Sequence, residues 1–278
     1  MENIIKLSVK EREELFRETA ARDGRFNALI VEKNFWVCWV LKILFELPEL
    51  YDFLIFKGGT SLSKVYNAIE RFSEDIDLSI SRDFLGFTGD NDPASILPSP
   101  NLDYVTQYVR IELGIRSDQW PKEKAEISPY VANIFPGFFS NSNCMVHCLS
   151  VNRAFWEKVT LLHSLAHRPE DKKLSVRCSR HYYDTYMLLK QSERLNIDTN
   201  NIELLTAVRN HKMLFYKSSW ANYDSAVKGT LKLIPPDFRR PEIAEDYRLT
   251  TRDMIFGDIP SLDTIFERLE TFQLNFNS

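Results

Sequence analysis

The chain has 278 residues, 44% of them hydrophobic and 13% aromatic. That is enough apolar surface for one large domain or two modest ones, and it excludes an intrinsically disordered chain. With 35 Lys and Arg against 39 Asp and Glu, the net charge is -4, so no global basic field draws in nucleic acid and any polyanionic partner has to be held by a local patch.

The N-terminus, "MENIIKLSVKEREELF", is charged almost at once, unlike a signal peptide. Ser8 and Glu11 have the form of a capping box, which predicts an amphipathic helix through "REELFRETAARDG" ending near Gly24. A second helix is expected through "LIVEKNFWVCWVLKILFEL", stopping at Pro48. Its most apolar run, Phe35 to Leu41, lies between Lys33 and Lys42 and is too short to span a bilayer. A cytoplasmic protein is expected. Cys38, Cys144, Cys148 and Cys178 are too few for a disulfide scaffold, and no second spaced pair accompanies Cys144 and Cys148 to suggest zinc.

"YDFLIFKGG" reads as a buried strand entering a glycine turn, "TSLSKVYNAIE" as a helix and "SEDIDLSI" as a second strand. From Arg82 to Leu102 the composition is that of a loop. "YVRIELGI" is a third strand, with "SPYVANIF" and "CMVHCLSV" as weaker strand candidates. From Arg153 onward the pattern is helical: "RAFWEKVTLLHSLAHR", "SRHYYDTYMLLKQSERL", "NIELLTAVRNHKMLFY" and "SLDTIFERLETFQLNF". Strands crowd the first half and helices the second. This predicts an α+β architecture: a core with N-terminal helices over residues 1–150, then a helical domain over residues 151–278.

Side chains two apart on a strand share a face, so Asp75 and Asp77 project together while Ile76 and Leu78 pack behind them. Carboxylates that close repel unless a cation lies between, and magnesium takes one or two carboxylates plus substrate phosphates. A lone Asp-x-Asp also reads as a solvated edge strand. Here it follows Lys57-Gly58-Gly59-Thr60-Ser61 at a strand-to-helix junction, where backbone amides can meet phosphate. A phosphate binder and a metal binder in one short unit suit phosphoryl transfer.

"FKGGTSLSK", "RFSEDIDLSI", "VRIELGIRSDQWP", "RAFWEKVTLLHSLAHRP", "SRHYYDTY" and "KSSWANYD", in that order, resemble the AbiEii-type nucleotidyltransferase toxins of type IV toxin–antitoxin and abortive-infection systems, within the DNA polymerase β-like superfamily. Between "GDNDP" and "VRIEL" the chain departs from the family it resembles, whose members carry a longer helical insertion there. The resemblance implies a polymerase β-like core, a mixed sheet with helices, in which Gly58, Gly59, Thr60 and Ser61 hold the triphosphate and Asp75 and Asp77 hold magnesium, with manganese able to substitute. The third carboxylate best matches Glu112, with Glu126 as the fallback. Lys158 and Asp184 match the family's later active-site lysine and aspartate, Lys158 balancing charge on the nucleotide. The implied reaction moves a nucleoside monophosphate from an NTP to an acceptor, most simply the 3′ end of tRNA, and blocks translation or growth. A cognate antitoxin is the implied protein partner. The alternatives are a nucleotidyltransferase acting on a small molecule or a protein, and a catalytically silent nucleotide-binding partner.

Read without the resemblance, Lys158 lies in an apolar helical row where a lysine snorkels, and Asp184 is one turn from Arg180, as in an ordinary intrahelical ion pair. His163, His167 and His181 lack a metal-binding pattern and read as surface or capping residues. Lys172, Lys173, Arg177 and Arg180 form a basic run, either a solvated loop or the landing place for RNA phosphates. Trp220 and Tyr223 are expected either to pack in the core or to stack on a base.

Overall fold

A computed structural model describes residues 1–73, 75–86 and 109–278. The chain divides into two compact units: Met1–Asn67 with Phe72–Leu149, and Ala68–Arg71 with Ser150–Ser278.

The first unit opens with a short helix α1 (Glu2–Ile5) and the amphipathic α2 (Val9–Asp23). The capping box forms: the Glu11 amide donates to Ser8 Oγ while the Ser8 amide donates to Glu11 Oε2 at 2.8 Å. Gly24, at φ 73°, ends the helix in the left-handed conformation that glycine adopts without steric cost. In α3 (Ala28–Glu46), Asn27 caps the first turn, and Leu47 is extended, as the residue before Pro48 must be.

Five strands, β1 (Leu54–Lys57), β2 (Ile76–Ile80), β3 (Ile111–Gly114), β4 (Lys122–Ile127) and β5 (Cys144–Leu149), form one mixed sheet in the order β3-β2-β1-β5-β4. β1 runs antiparallel to β2 and parallel to β5, β2 is parallel to β3, and β4 is antiparallel to β5. One face is apolar: Leu54, Phe56, Ile76, Leu78, Val146 and Cys148 pack against Val37, Leu41 and Phe45 of α3. Each such side chain removed from water contributes about 1.5–3 kcal/mol, so the sheet is held to α3 by this face; the opposite face is mixed, with Ile55 and Ser79 fully buried and Lys57, Asp77 and Glu112 only partly so.

Three features of the first unit depart from the sequence expectations. The helix α4 spans only Gly58–Lys64, because Asn67 takes φ 46° and turns the chain away before Glu70. "SPYVANIF" is not a strand but the helix α5 (Tyr130–Ile134), opened by Pro129 and fixed by the Tyr130 amide donating to Asn34 Oδ1 at 2.8 Å and by Tyr130 stacking on Phe26. β4 has no apolar alternation in its sequence, because "KEKAEI" is charged, which is how an edge strand avoids pairing with other chains. Beyond Gly86, the loop expected from Arg82 to Leu102 lies outside the described residues, as does the first residue of the expected third strand.

The second unit contains α6 (Val151–Ala166), α7 (Ser179–Lys190), α8 (Ile202–Phe215), α9 (Arg240–Met254) and α10 (Leu262–Asn277). α9 was not anticipated; Pro241 in its first turn marks its start. His163 is not a surface residue. It is fully buried in α6, its Nδ1 accepts from the Lys232 amide at 3.1 Å, and its Nε2 therefore donates to the Asn222 carbonyl at 3.0 Å. Burial lowers its pKa to about 4, so it is neutral at physiological pH. His167 does cap, its Nδ1 lying 2.9 Å from the His163 carbonyl. All four cysteines are free and buried.

Candidate active site

The face of the sheet opposite the apolar core carries a row of charges. Antiparallel pairing sets Lys57 of β1 opposite Asp77 of β2, and parallel pairing sets Asp77 opposite Glu112 of β3. Ile76 and Leu78 point into the core, so Asp77 points away from it. Asp75 immediately precedes β2 and, like Asp77, is half-buried. Glu126, by contrast, lies on β4, three strands from β2, which is roughly 14 Å at ordinary strand spacing. The carboxylate next to Asp77 is that of Glu112.

The glycine turn is built around Asp77. Gly58 has φ 77°, and a Cβ placed on it would lie 1.9 Å from Asp77 Oδ2 and 2.9 Å from Asp77 Cβ. Glycine is required here twice, for the backbone angle and for the space the carboxylate occupies. Gly58→Ala is expected to lose about 1–2 kcal/mol to the left-handed conformation alone and to displace Asp77, so that nucleotide transfer falls further than the melting temperature predicts. Parallel melting and transfer assays check this.

Thr60 and Ser61 are buried. The Thr60 hydroxyl donates to the Asp75 carbonyl and lies 2.8 Å from Ser73 Oγ, and Ser61 Oγ donates to the Gly58 carbonyl at 2.9 Å. Both hydroxyls are thus engaged with protein atoms. Their side chains fix the turn and the approach to Asp75. Lys57 Nζ is held by Ser117 Oγ.

The oxygen-rich row suits a hard divalent cation. Among the described residues no group of three or more His, Cys, Asp or Glu side chains forms a metal cage. Magnesium does not need one, since it is characteristically held by one or two carboxylates together with substrate phosphates and water.

Lys158 and Asp184 belong to the second unit, where Asp184 of α7 is fully buried. Arg71 grips it bidentately, Nε to Oδ1 at 2.6 Å and Nη2 to Oδ2 at 2.8 Å, and Lys158 Nζ of α6 donates to Oδ2 at 2.7 Å. The Lys158 ammonium lies 3.2 Å from His181 Nδ1, which can only accept from it. Burial and the neighbouring Lys158 charge hold His181 well below its ordinary range, so it is neutral. Burial alone would raise the Asp184 carboxyl, but the charges and hydrogen bonds of Arg71 and Lys158 outweigh it and keep the carboxyl below the usual range. Burial lowers the Lys158 ammonium, against the pull of Asp184. Arg71 carries no signal in the sequence for this role: helical spacing offers Asp184 only Arg180, and a partner 113 positions away is invisible to it.

Of the basic run, Lys172 and Lys173 are exposed, while Arg177 and Arg180 are half-buried. The loop is fastened from α9 and from Arg239 just before it. Glu242 accepts from the Leu174 amide, Asp246 accepts from the amides of Arg177 and Ser179, and the buried Arg239 donates to the carbonyls of Pro169, Glu170 and Lys172. Trp220 is half-buried beneath the Arg168 guanidinium, 4.8 Å from its ring centre.

No helix among the described residues is long and apolar enough to cross a membrane. No curated protein sequence matches the chain. The model of the nucleotidyl transferase AbiEii toxin family, type IV toxin–antitoxin system, matches residues 39–98 and 93–268, which include every candidate site residue from Lys57 to Asp184. With a match over most of its length and a mixed-sheet core of the nucleotidyltransferase kind, the chain belongs to the AbiEii family of nucleotidyltransferase toxins.

Proposed function

We propose that this nucleotidyltransferase moves a nucleoside monophosphate from an NTP onto the 3′ end of tRNA with the help of a divalent cation, magnesium or manganese. The observation that carries the reading is the row on the sheet: Asp77 packed over Gly58, Glu112 in register beside it, and Asp75 just ahead of the strand. Asp75 and Asp77 would hold the cation, which when bound neutralises charge on the triphosphate and the leaving pyrophosphate. Glu112 accepts the proton of the acceptor hydroxyl. That oxygen bonds to the α-phosphorus as the bond from the α-phosphorus to the bridging oxygen breaks, and pyrophosphate leaves. Gly58 and Gly59 present main chain to the phosphates, and Lys158 balances charge on the nucleotide, as the family resemblance implies. A cognate antitoxin is the protein partner of a type IV system.

Incubating the protein with each labelled NTP, magnesium and either total RNA or total protein tests the acceptor. Label on tRNA is the expected result. Label only on protein or on a small molecule, across all four NTPs, overturns the tRNA reading.

Lys172, Lys173 and Arg177 are the proposed phosphate contacts. Arg177 has φ 64°, so its replacement should be Asn, which tolerates that conformation. The triple variant Lys172→Ala, Lys173→Ala, Arg177→Asn is expected to weaken tRNA binding and flatten its salt dependence, by up to about 0.9 in the log–log slope per lost phosphate contact on a duplex segment, while NTP binding is unchanged. Titration of tRNA at several salt concentrations reads both.

A further inference from the structure

Four residues of this chain belong to one unit while the sequence on both sides of them belongs to the other. Ala68–Arg71 is part of the second unit, yet Asn67 before it and Phe72 after it belong to the first. The excursion occurs between α4, which begins with the glycine turn, and β2, which carries Asp77. Asp75 follows only four positions after Arg71.

Within the second unit this strap is held at every residue. Ala68, Ile69 and Arg71 are buried. Gln191 Nε2 donates to the Ala68 carbonyl at 2.9 Å, and the Phe256 amide donates to the Glu70 carbonyl at 3.1 Å. Arg71 forms an antiparallel bridge with Ile255. Gly257 lies against the Glu70 side chain so closely that a Cβ there would sit 1.9 Å from Glu70 Oε2. The strongest tie is the bidentate pair of Arg71 with Asp184, both essentially without solvent access. On the first-unit side, the same stretch of chain is caught by Thr60, whose hydroxyl meets Ser73 and the Asp75 carbonyl. Each tie lies within its own unit: Thr60 holds Asp75 in the first, and Asp184 holds Arg71 in the second.

We infer that Arg71 is a positioning residue for the carboxylates: its grip on Asp184 fixes the strap, and the strap fixes the path of the chain into Asp75 and Asp77. Asp184 then acts through Arg71, since its two oxygens already accept from Arg71 and Lys158. A guanidinium is required because only its planar fork meets both carboxylate oxygens; a lysine supplies charge at one point. The inference rests on the catalytic reading of Asp75 and Asp77, but its test does not depend on the acceptor.

The experiment compares Arg71→Met and Arg71→Lys with the unmodified protein by amide hydrogen exchange and by transfer kinetics. Arg71→Met leaves the Lys158–Asp184 pair balanced, so the variant is expected to fold; Arg71→Lys serves as the measurable variant if it does not. Expected are faster exchange over residues 68–80 with α10 unaltered, and a fall in kcat of about 100-fold, as for misplacement of reacting groups by about 1 Å, with KM for NTP changed much less. Arg71→Lys is expected to recover part of the loss. Unaltered exchange over 68–80, or altered exchange with kcat within about twofold, less than 0.5 kcal/mol, overturns the inference. If the unmodified protein labels no acceptor, the transferase reading fails on that assay, while the exchange measurement still decides whether Arg71 anchors the strap.

Discussion

Asp77→Asn is expected to lower nucleotide transfer by about 1,000-fold or more, because a cation clamp contributes several kcal/mol of transition-state stabilisation and Asn preserves the shape of the site without its charge. The fold should survive, since Asp77 lies on the polar face of β2 and the apolar core is formed by Ile76 and Leu78. A melting curve within a few degrees of the unmodified protein, beside a collapsed rate, is the expected pair of results. Activity within about threefold, roughly 0.7 kcal/mol, would remove Asp77 from the reaction. Glu112→Gln should lose activity in the same assay and Glu126→Gln should not, because one lies in register with Asp77 and the other on the far edge of the sheet.

Much of this site is legible in the sequence because its parts are local. Alternation along "SEDIDLSI" gives the face on which Asp75 and Asp77 lie, and the glycines after "LIF" give the turn. What periodicity cannot supply is which strands are neighbours. The choice between Glu112 and Glu126 depends on strand order, and strand order is set by how β3 and β4 add to opposite edges of the sheet. Nor can residue type show where the hydroxyls of Thr60 and Ser61 point: burial in the folded turn directs them to the Asp75 and Gly58 carbonyls.

The second unit was legible as helices but not as a network. Asp184 and Lys158 stand out only through family resemblance, and the residue that completes the cluster, Arg71, is 113 positions away from Asp184. Charged edge strands and short helices fail for a different reason: "KEKAEI" and "YVANI" are too short and too weakly patterned to reveal a period, and their conformations are decided by pairing with β5 and packing on α3.

Asp184→Asn is expected to be the most destabilising single change in the second unit. Asp184 is one buried anion facing two cations, Arg71 and Lys158. Removing its charge leaves both cations without it, and breaking a buried pair from one side costs about 3–5 kcal/mol, or a fall in melting temperature of about 6–20 °C for a unit of this size. Arg71→Met should cost much less, because one cation and one anion remain together. Replacing all three groups with apolar side chains, Arg71→Met with Lys158→Met and Asp184→Leu, should recover most of the stability lost by Asp184→Asn while leaving transfer impaired. The pH dependence has a definite sign. The folded Asp184 carboxyl is held below its unfolded value, so its contribution is complete above the unfolded value, near pH 3.9, and is lost as the pH falls toward the folded one. Asp184→Asn removes that acid-side slope and introduces a new one on the alkaline side. Burial already lowers Lys158, and without its counter-anion the variant should gain stability as the pH rises and the buried ammonium gives up its proton. Denaturation at pH 6 and pH 9 reads this directly: equal stability of the variant at the two values, relative to the unmodified protein, or a melting temperature within about 2 °C of it, less than 1 kcal/mol, would show that the buried network does not hold this unit together.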